Sequence, residues 1–393
     1  MEGKGLVLEG GGAKGAFHCG AVKALYDYGY TFSGVAGTSI GAINGALIVQ
    51  DMGYQSMYDV WTNVTAEDIT DFDNLEVSKL FGKELSKEGI SYWTKQVISV
   101  IKNFGISTEK PLNYLKRIID EDKVRSSPMD LGIVTYNLSD FEPLKLFKND
   151  IPVGKLHDFI FASAHYPAFR LERTNGKIYI DGGVYDNLPV DLLASQNKYS
   201  EIFAIRTKNK PIKKSIEYKE VKINYICPSE DLGNVMSLYP KSITNNIKLG
   251  YYDALRFIKK YKGNKYYIEG EAGFYKKIFK LLNNDETESI CKLYKIPYAN
   301  FPYSFIQKES EENGWINLQD DEFILYFLEI FAKFYGVDKY KIYSPEQFLD
   351  ELILKSNAIE PEKLNLFKKY NEKYKRFYVF NLILPKLRKV LHG

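Results

Sequence analysis

Phe32-Ser33-Gly34-Val35-Ala36-Gly37-Thr38-Ser39-Ile40-Gly41-Ala42-Ile43-Asn44 reads as a short apolar strand, a Gly-x-Ser-x-Gly turn and the start of an alanine-rich helix. The strand is expected over Phe32 to Ala36 and the helix from Ser39 to about Asp51, closed by Gly53. A strand running straight into a helix must bend sharply at the serine, and Gly37 and Gly41 supply flanks without side chains. The hydroxyl is then presented at the open end of a sheet, above a helix N-terminus that favours developing negative charge. In this strand–turn–helix context the pattern is a nucleophile elbow and points to a serine hydrolase. The competing reading of the five residues alone is a glycine-rich packing turn.

The surrounding sequence alternates strand and helix signals, as a parallel α/β sheet does. An apolar strand over Gly5 to Glu9 leads into Gly10-Gly11-Gly12-Ala13-Lys14-Gly15 and a helix from about Lys14 to Tyr28, capped by Gly29. Residues 54–120 read as mostly helical. Strands resume at Asp130 to Tyr136, Leu144 to Phe147, Lys177 to Ile180, Ile202 to Arg206 and Val221 to Ile226. The expected fold is three-layer α/β/α with a mainly parallel central sheet, followed by a helix-rich C-terminal region. The division is drawn as residues 1–229 and 230–393, with a boundary anywhere between Pro228 and Lys262, because no low-complexity linker marks it.

Two amphipathic stretches carry open alternatives. Ser91 to Phe104 groups Trp93, Val97, Ile98, Val100 and Ile101 on one side, which fits a lid over a lipid-binding cleft or an ordinary core-facing helix. Residues 361–393 hold nine Lys or Arg against two Glu, interleaved with Phe, Tyr and Leu. Such a tail docks on anionic lipid or is the solvated basic face of a terminal helix.

Composition excludes several classes. With 393 residues and 45% hydrophobic content the chain can bury a large core, and a net charge of +3 argues against nucleic acid as partner. Cys19, Cys227 and Cys291 have no CxxC spacing and read as reduced thiols; His18, His157, His165 and His392 have no metal-ligand spacing. The first strand begins at about Gly5, which leaves no room for a signal peptide. Phe377 to Leu384, interrupted by Asn381, is too short to span a bilayer. The expectation is a cytoplasmic protein that reaches the membrane, if at all, peripherally.

The glycine loop fits two readings. As a dinucleotide fingerprint it would need an acidic residue about twenty positions on, at the end of the second strand; that place holds Ala36-Gly37-Thr38-Ser39. A Walker P-loop is excluded, since Ala16 and Phe17 follow Gly15. The better reading is an oxyanion hole whose backbone N–H groups lie beside the Ser39 hydroxyl. Whether Lys14 turns into this region or to solvent is undecided. The serine also needs a base, and the usual order places a histidine late in the chain. Only His392, the penultimate residue, is late, and His18, His157 and His165 read as structural. Asp181-Gly182-Gly183 ends the strand from Lys177 and would let a carboxylate approach another loop closely; the alternative is a hairpin turn.

Together these motifs resemble the patatin-like phospholipase family. The resemblance rests on the glycine loop with Lys14, the elbow Gly37 to Gly41, Asp181-Gly182-Gly183, the segment Ala162-Ser163-Ala164-His165-Tyr166-Pro167-Ala168-Phe169, and Asn187-Leu188-Pro189. It covers roughly residues 4–208 and leaves 230–393 unexplained. It implies a Ser-Asp dyad without histidine: Ser39 as nucleophile, Asp181 as general base, and N–H groups of Gly11 and Gly12, with Ala13 as a further donor, as the oxyanion hole. It implies hydrolysis of phospholipid or lysophospholipid esters through an acyl-enzyme, with no metal or organic cofactor. The rival readings are an acyltransferase or thioesterase on a related fold, and a non-catalytic membrane-associated interaction protein.

Overall fold

The computed structural model describes residues 3–70, 107–166, 169–171, 173–174, 176–209, 221–270, 278–315, 320–357 and 371–392. The Ser91 to Phe104 stretch lies outside them. Contacts divide the chain into two compact units, Met1–Ile258 and Lys259–Gly393.

In the first unit the near-continuous apolar runs become parallel strands buried on both faces. β1 (Gly3–Leu8) pairs in parallel with β2 (Gly34–Thr38) and, on its other side, with β7 (Tyr199–Ile205), which pairs in parallel with β8 (Lys222–Ile226). β3 (Asp130–Asn137) continues the sheet beyond β2, also in parallel. Around β3 the direction changes. β4 (Glu142–Phe147) and β6 (Lys177–Asp181) both run antiparallel to it, and the two-residue β5 (Arg173–Thr174) pairs with β6.

Alternation along the strands builds the three layers. Val35 and Leu131, paired across β2 and β3, lie against Gly45 of α2 (Ile40–Asp51). Ala36 and Gly132, one residue on, face Leu192 of α7 (Val190–Ala194) on the opposite side. The remaining described helices of this unit are α1 (Ala16–Asp27), α3 (Gln55–Asn63), α4 (Glu109–Ile118), α5 (Glu121–Ser126), α6 (Leu156–Ser163) and α8 (Pro240–Lys259).

Element ends differ from the sequence reading in instructive ways. β2 begins at Gly34, not Phe32, because Phe32 leaves the ladder to pack edge-on against Phe203, with ring centroids 5.8 Å apart. A 3-10 turn over Gly12–Gly15 precedes α1, which therefore starts at Ala16. Helix α2 closes through Met52, which takes the left-handed conformation at φ 52°, while the Gly53 N–H donates to the Ile48 carbonyl. Residues 240–258, which composition groups with the C-terminal region, pack as α8 on α1. Gly20 and Gly250 permit this: a Cβ on the first would collide with the Ile247 carbonyl, and one on the second with that of Phe17.

The second unit is helical: α9 (Asn284–Tyr294), α10 (Tyr303–Asn313), α11 (Asp320–Tyr335), α12 (Pro345–Asn357) and α13 (Asn371–His392), with a two-stranded parallel pair of β9 (Tyr267–Ile268) and β10 (Ile342–Tyr343). Its core is aromatic, centred on Phe305, Phe323, Phe327, Phe348 and Phe380. The tail enters that core. Val379, Phe380, Ile383 and Leu387 of α13 are fully buried, and Phe380 stacks on Phe331 at 4.0 Å. Two of the tail cations are held within the same unit: Arg376 bonds to Glu309 (2.7 Å) and Glu312 (2.9 Å), and Lys386 to Glu286 (2.9 Å). The apolar face of the tail, for which the sequence leaves lipid docking and an ordinary terminal helix open, packs against protein within this unit, since periodicity reports a buried face without naming what buries it. Among the described residues, no helix is long and apolar enough to cross a membrane.

Candidate active site

The register of β3 brings the two key residues together. β4 covers one edge of β3 from Gly132 to Asn137. β2 pairs with Asp130 to Val134 and β6 with Thr135 to Asn137, so these two strands share the other edge, end to end. β2 runs up to Thr38, opposite Val134, and β6 runs down to Asp181, opposite Thr135. Ser39 leaves the first strand and Asp181 closes the second, one register position apart. Ser39 and Asp181 line one cavity, with the serine hydroxyl near enough to the carboxylate to pull on its titration.

Ser39 holds φ 57° and ψ −127°, a conformation that costs a side-chain-bearing residue on the order of 1–3 kcal/mol. Its flanks show why glycine is required. A Cβ on Gly37 would run into the Gly41 carbonyl and the Ala42 nitrogen, and one on Gly41 into the Leu8 carbonyl. The 12-residue helix α2 begins directly after Ser39, placing its positive end at the hydroxyl.

The glycine loop lies beside Ser39, and its hydrogen bonds sort its donors. The Gly10 N–H donates to Asn187 O (3.0 Å), that of Ala13 to Val235 O (2.7 Å) and that of Lys14 to Gly11 O (3.2 Å). Gly15 lies within the 3-10 turn. Among the described residues no acceptor faces the N–H groups of Gly11 or Gly12. The expected Ala13 donor is thus occupied, and the N–H groups of Gly11 and Gly12 are the loop donors left open among the described residues. Lys14 turns its ammonium toward Asp231, at 3.7 Å.

Asp181 lines the same cavity as Ser39. Burial pushes its carboxyl above the ordinary range of 3.8, against the opposing pull of the Ser39 hydroxyl, the Gly183 N–H and the nearby His165 ring. The Gly183 N–H reaches Asp181 Oδ1 at 2.7 Å, and Gly182–Val184 forms a 3-10 turn, so the Asp-Gly-Gly sequence is not a hairpin. The histidines are otherwise engaged. Both ring nitrogens of His165 lie 2.9 Å from backbone carbonyls, those of Tyr179 and Arg170, and His157 Nε2 lies 2.8 Å from the Ile119 carbonyl. Two further bonds stitch the segment after Asp181 to the site: Thr38 Oγ1 donates to Asp186 O (2.7 Å) and Asn187 Nδ2 to Gly10 O (3.2 Å).

These groups form the floor of a cavity of about 480 Å³. Its walls are mainly apolar, with Ile43, Trp61, Leu115, Phe161, Phe169 and Met236 among them. Behind the wall, buried Asn44 joins three elements. Its Oδ1 accepts from Trp61 Nε1 (3.0 Å), while its Nδ2 donates to Gly15 O (3.1 Å) and faces His18 Nδ1 at 3.2 Å. The amide donates, so His18 Nδ1 accepts and the ring proton sits on Nε2, which has no acceptor among the described residues.

Burial drives the His18 pKa from 6.5 down to about 3. The unfolded chain therefore binds the extra proton between those values. This contribution to stability is complete above about pH 6.5 and is lost as pH falls through 3, by up to roughly 1.4 kcal/mol per pH unit. We expect His18→Leu to flatten the decline in urea stability between pH 6.5 and 4; equal slopes for variant and wild type would refute this.

The family profile described as Patatin-like phospholipase matches residues 6–194, and this part of the chain belongs to that family. Lysophospholipase NTE1 of Yarrowia lipolytica is 28% identical over 51% of this chain, and that of Meyerozyma guilliermondii 30% identical over 48%. The chain spans only 12% of the length of each. An uncharacterized NTE family protein of Mycobacterium bovis is 26% identical over 49% of this chain and 46% of its own. Among solved structures, VipD from Legionella pneumophila aligns with all of this chain and 92% of its own, at 14% identity and a TM-score of 0.42.

Three contributors escaped the sequence reading. Ser163, Asn44 and Val235 carry no motif of their own, although Ser163 lies within the quoted Ala162 to Phe169 segment.

Proposed function

We propose that the protein is a carboxylic ester hydrolase that cleaves acyl chains from phospholipid or lysophospholipid through a Ser39–Asp181 dyad and an acyl-enzyme. The observation that carries this reading is the convergence of Ser39, the half-buried Asp181 carboxylate and two unoccupied backbone donors on one mainly apolar cavity. Family membership of residues 6–194 and the lysophospholipase relatives support the lipid as substrate.

In the proposed sequence the acyl chain lies along the apolar wall, where each buried CH2 contributes about 0.8 kcal/mol. Ser39 Oγ attacks the ester carbonyl as Asp181 takes its proton. The Gly11 and Gly12 N–H groups receive the oxyanion, and one such donor is typically worth about 10²–10³ in rate. Asp181 returns the proton to the leaving alcohol. Water, deprotonated by Asp181, then attacks the acyl-Ser39 ester, and Asp181 returns that proton to Ser39 Oγ as the acyl–oxygen bond breaks and the fatty acid leaves.

Peripheral attachment through residues 361–393 is narrower than their composition implies. With the apolar face of α13 buried and Arg376 and Lys386 paired, attraction to anionic lipid falls to exposed cations such as Lys389.

The deciding assay measures fatty acid released from lysophosphatidylcholine micelles and from phosphatidylcholine vesicles by mass spectrometry. Release from at least one is expected, and the better substrate tells whether the one-chain or the two-chain lipid is preferred. No release from either would overturn the proposal.

A further inference from the structure

We propose that Ser163 is a positioning residue that holds the nucleophile elbow against β3. The inference rests on the reading of Ser39 as nucleophile. The parallel ladder between β2 and β3 ends at the pair Thr38–Val134, because the chain turns away at Ser39. At that position Ser163, the last residue of α6 and fully buried, bridges the two strands. Its hydroxyl donates to Val134 O at 2.6 Å and accepts the Ser39 N–H at 3.0 Å.

A hydroxyl is suited to this place because one oxygen donates and accepts at once without carrying charge. The bridge replaces the ladder bond that the turn interrupts and provides a partner for two backbone groups in a buried setting. It also acts at the residue whose backbone is strained. The Ser39 nitrogen is fixed relative to β3, and β3 carries the register that places Asp181. Ser163 touches neither substrate nor the Ser39 hydroxyl, so its influence runs through the direction in which that hydroxyl points.

The test uses the full chain and an alkyl fluorophosphonate, which forms a bond to an activated serine Oγ with loss of fluoride. Wild type should label at Ser39 and Ser39→Ala should not; absence of wild-type labelling would defeat the functional reading, not this one. Ser163→Ala is expected to label about 100-fold more slowly per site, the order associated with a ~1 Å misplacement of a reacting group. Its kcat should fall in parallel with KM unchanged. Ser163→Thr, which keeps the hydroxyl, should recover most of the rate. A purely structural role would lower the number of sites finally labelled and leave the rate per site at the wild-type value, and that outcome overturns the proposal. So does Ser163→Thr labelling as slowly as Ser163→Ala. Where the alanine variant does not fold, Ser163→Cys takes its place: slow labelling per site supports the bridge, and the wild-type rate overturns it.

Discussion

Ser39→Ala should reduce turnover of a p-nitrophenyl acyl ester by at least about 10⁴-fold while leaving the circular dichroism spectrum unchanged, because no other group replaces a lost nucleophile. Asp181→Asn should come close to the same loss, since the amide cannot accept the serine proton. Turnover retained by either variant would remove the dyad. The pH profile adds an independent check. The proposed base, Asp181, can accept a proton only when ionised, and burial raises its carboxyl above 3.8, so kcat/KM should climb with pH along an acidic limb centred above that value. Stability runs the other way. A carboxyl raised in the folded state favours folding most below pH 3.8, and that advantage is lost as pH rises through the folded value. Asp181→Asn is therefore expected to melt no lower than wild type at pH 7. Ser39→Gly, which relieves the positive φ, should melt higher.

Deleting residues 361–393 should unfold the second unit rather than merely weaken attachment to liposomes. The deletion removes α13 and with it four fully buried side chains, Val379, Phe380, Ile383 and Leu387. At roughly 1.5–3 kcal/mol each, their burial contributes about 6–12 kcal/mol, comparable to the whole stability of a typical domain. The deletion also strips Arg376 from Glu309, a carboxylate with no exposed surface that burial already pushes above its ordinary range. Hydrogen exchange should show protection lost across α9 to α12. Full protection there in the shortened chain would contradict the role given to α13. A liposome test of the tail accordingly needs a substitution that spares the core, such as Lys389→Glu.

The parts of this protein legible from sequence are those in which local geometry dictates residue type. Gly37 and Gly41 are required by backbones that nearly touch, and the glycine loop by the turn between β1 and α1, so both were readable within a few residues. The apolar runs likewise located the strands, with β2 displaced because Phe32 packs beside the ladder instead of joining it. What stayed hidden depends on partners far along the chain. Which loop N–H groups remain open is decided by Asn187 and Val235, and the elbow is braced by Ser163, more than a hundred residues from the serine it holds. Ser and Asn side chains enter many such bonds, and nothing in their neighbours announces which. The tail shows the same limit: its period is that of an amphipathic helix, and both a bilayer and a phenylalanine core satisfy it.

The shared edge of β3 has a consequence for how activity arises in time. Ser39 and Asp181 arrive on strands that never pair with each other, and they come into register only after the whole intervening chain has closed on β3. Closures over such separations are slow steps of folding. Half-assembled chain, with helices formed but β6 not yet docked, carries Ser39 without Asp181 beside it. On refolding, the proposed hydrolysis should therefore return only after most of the helical signal has been regained.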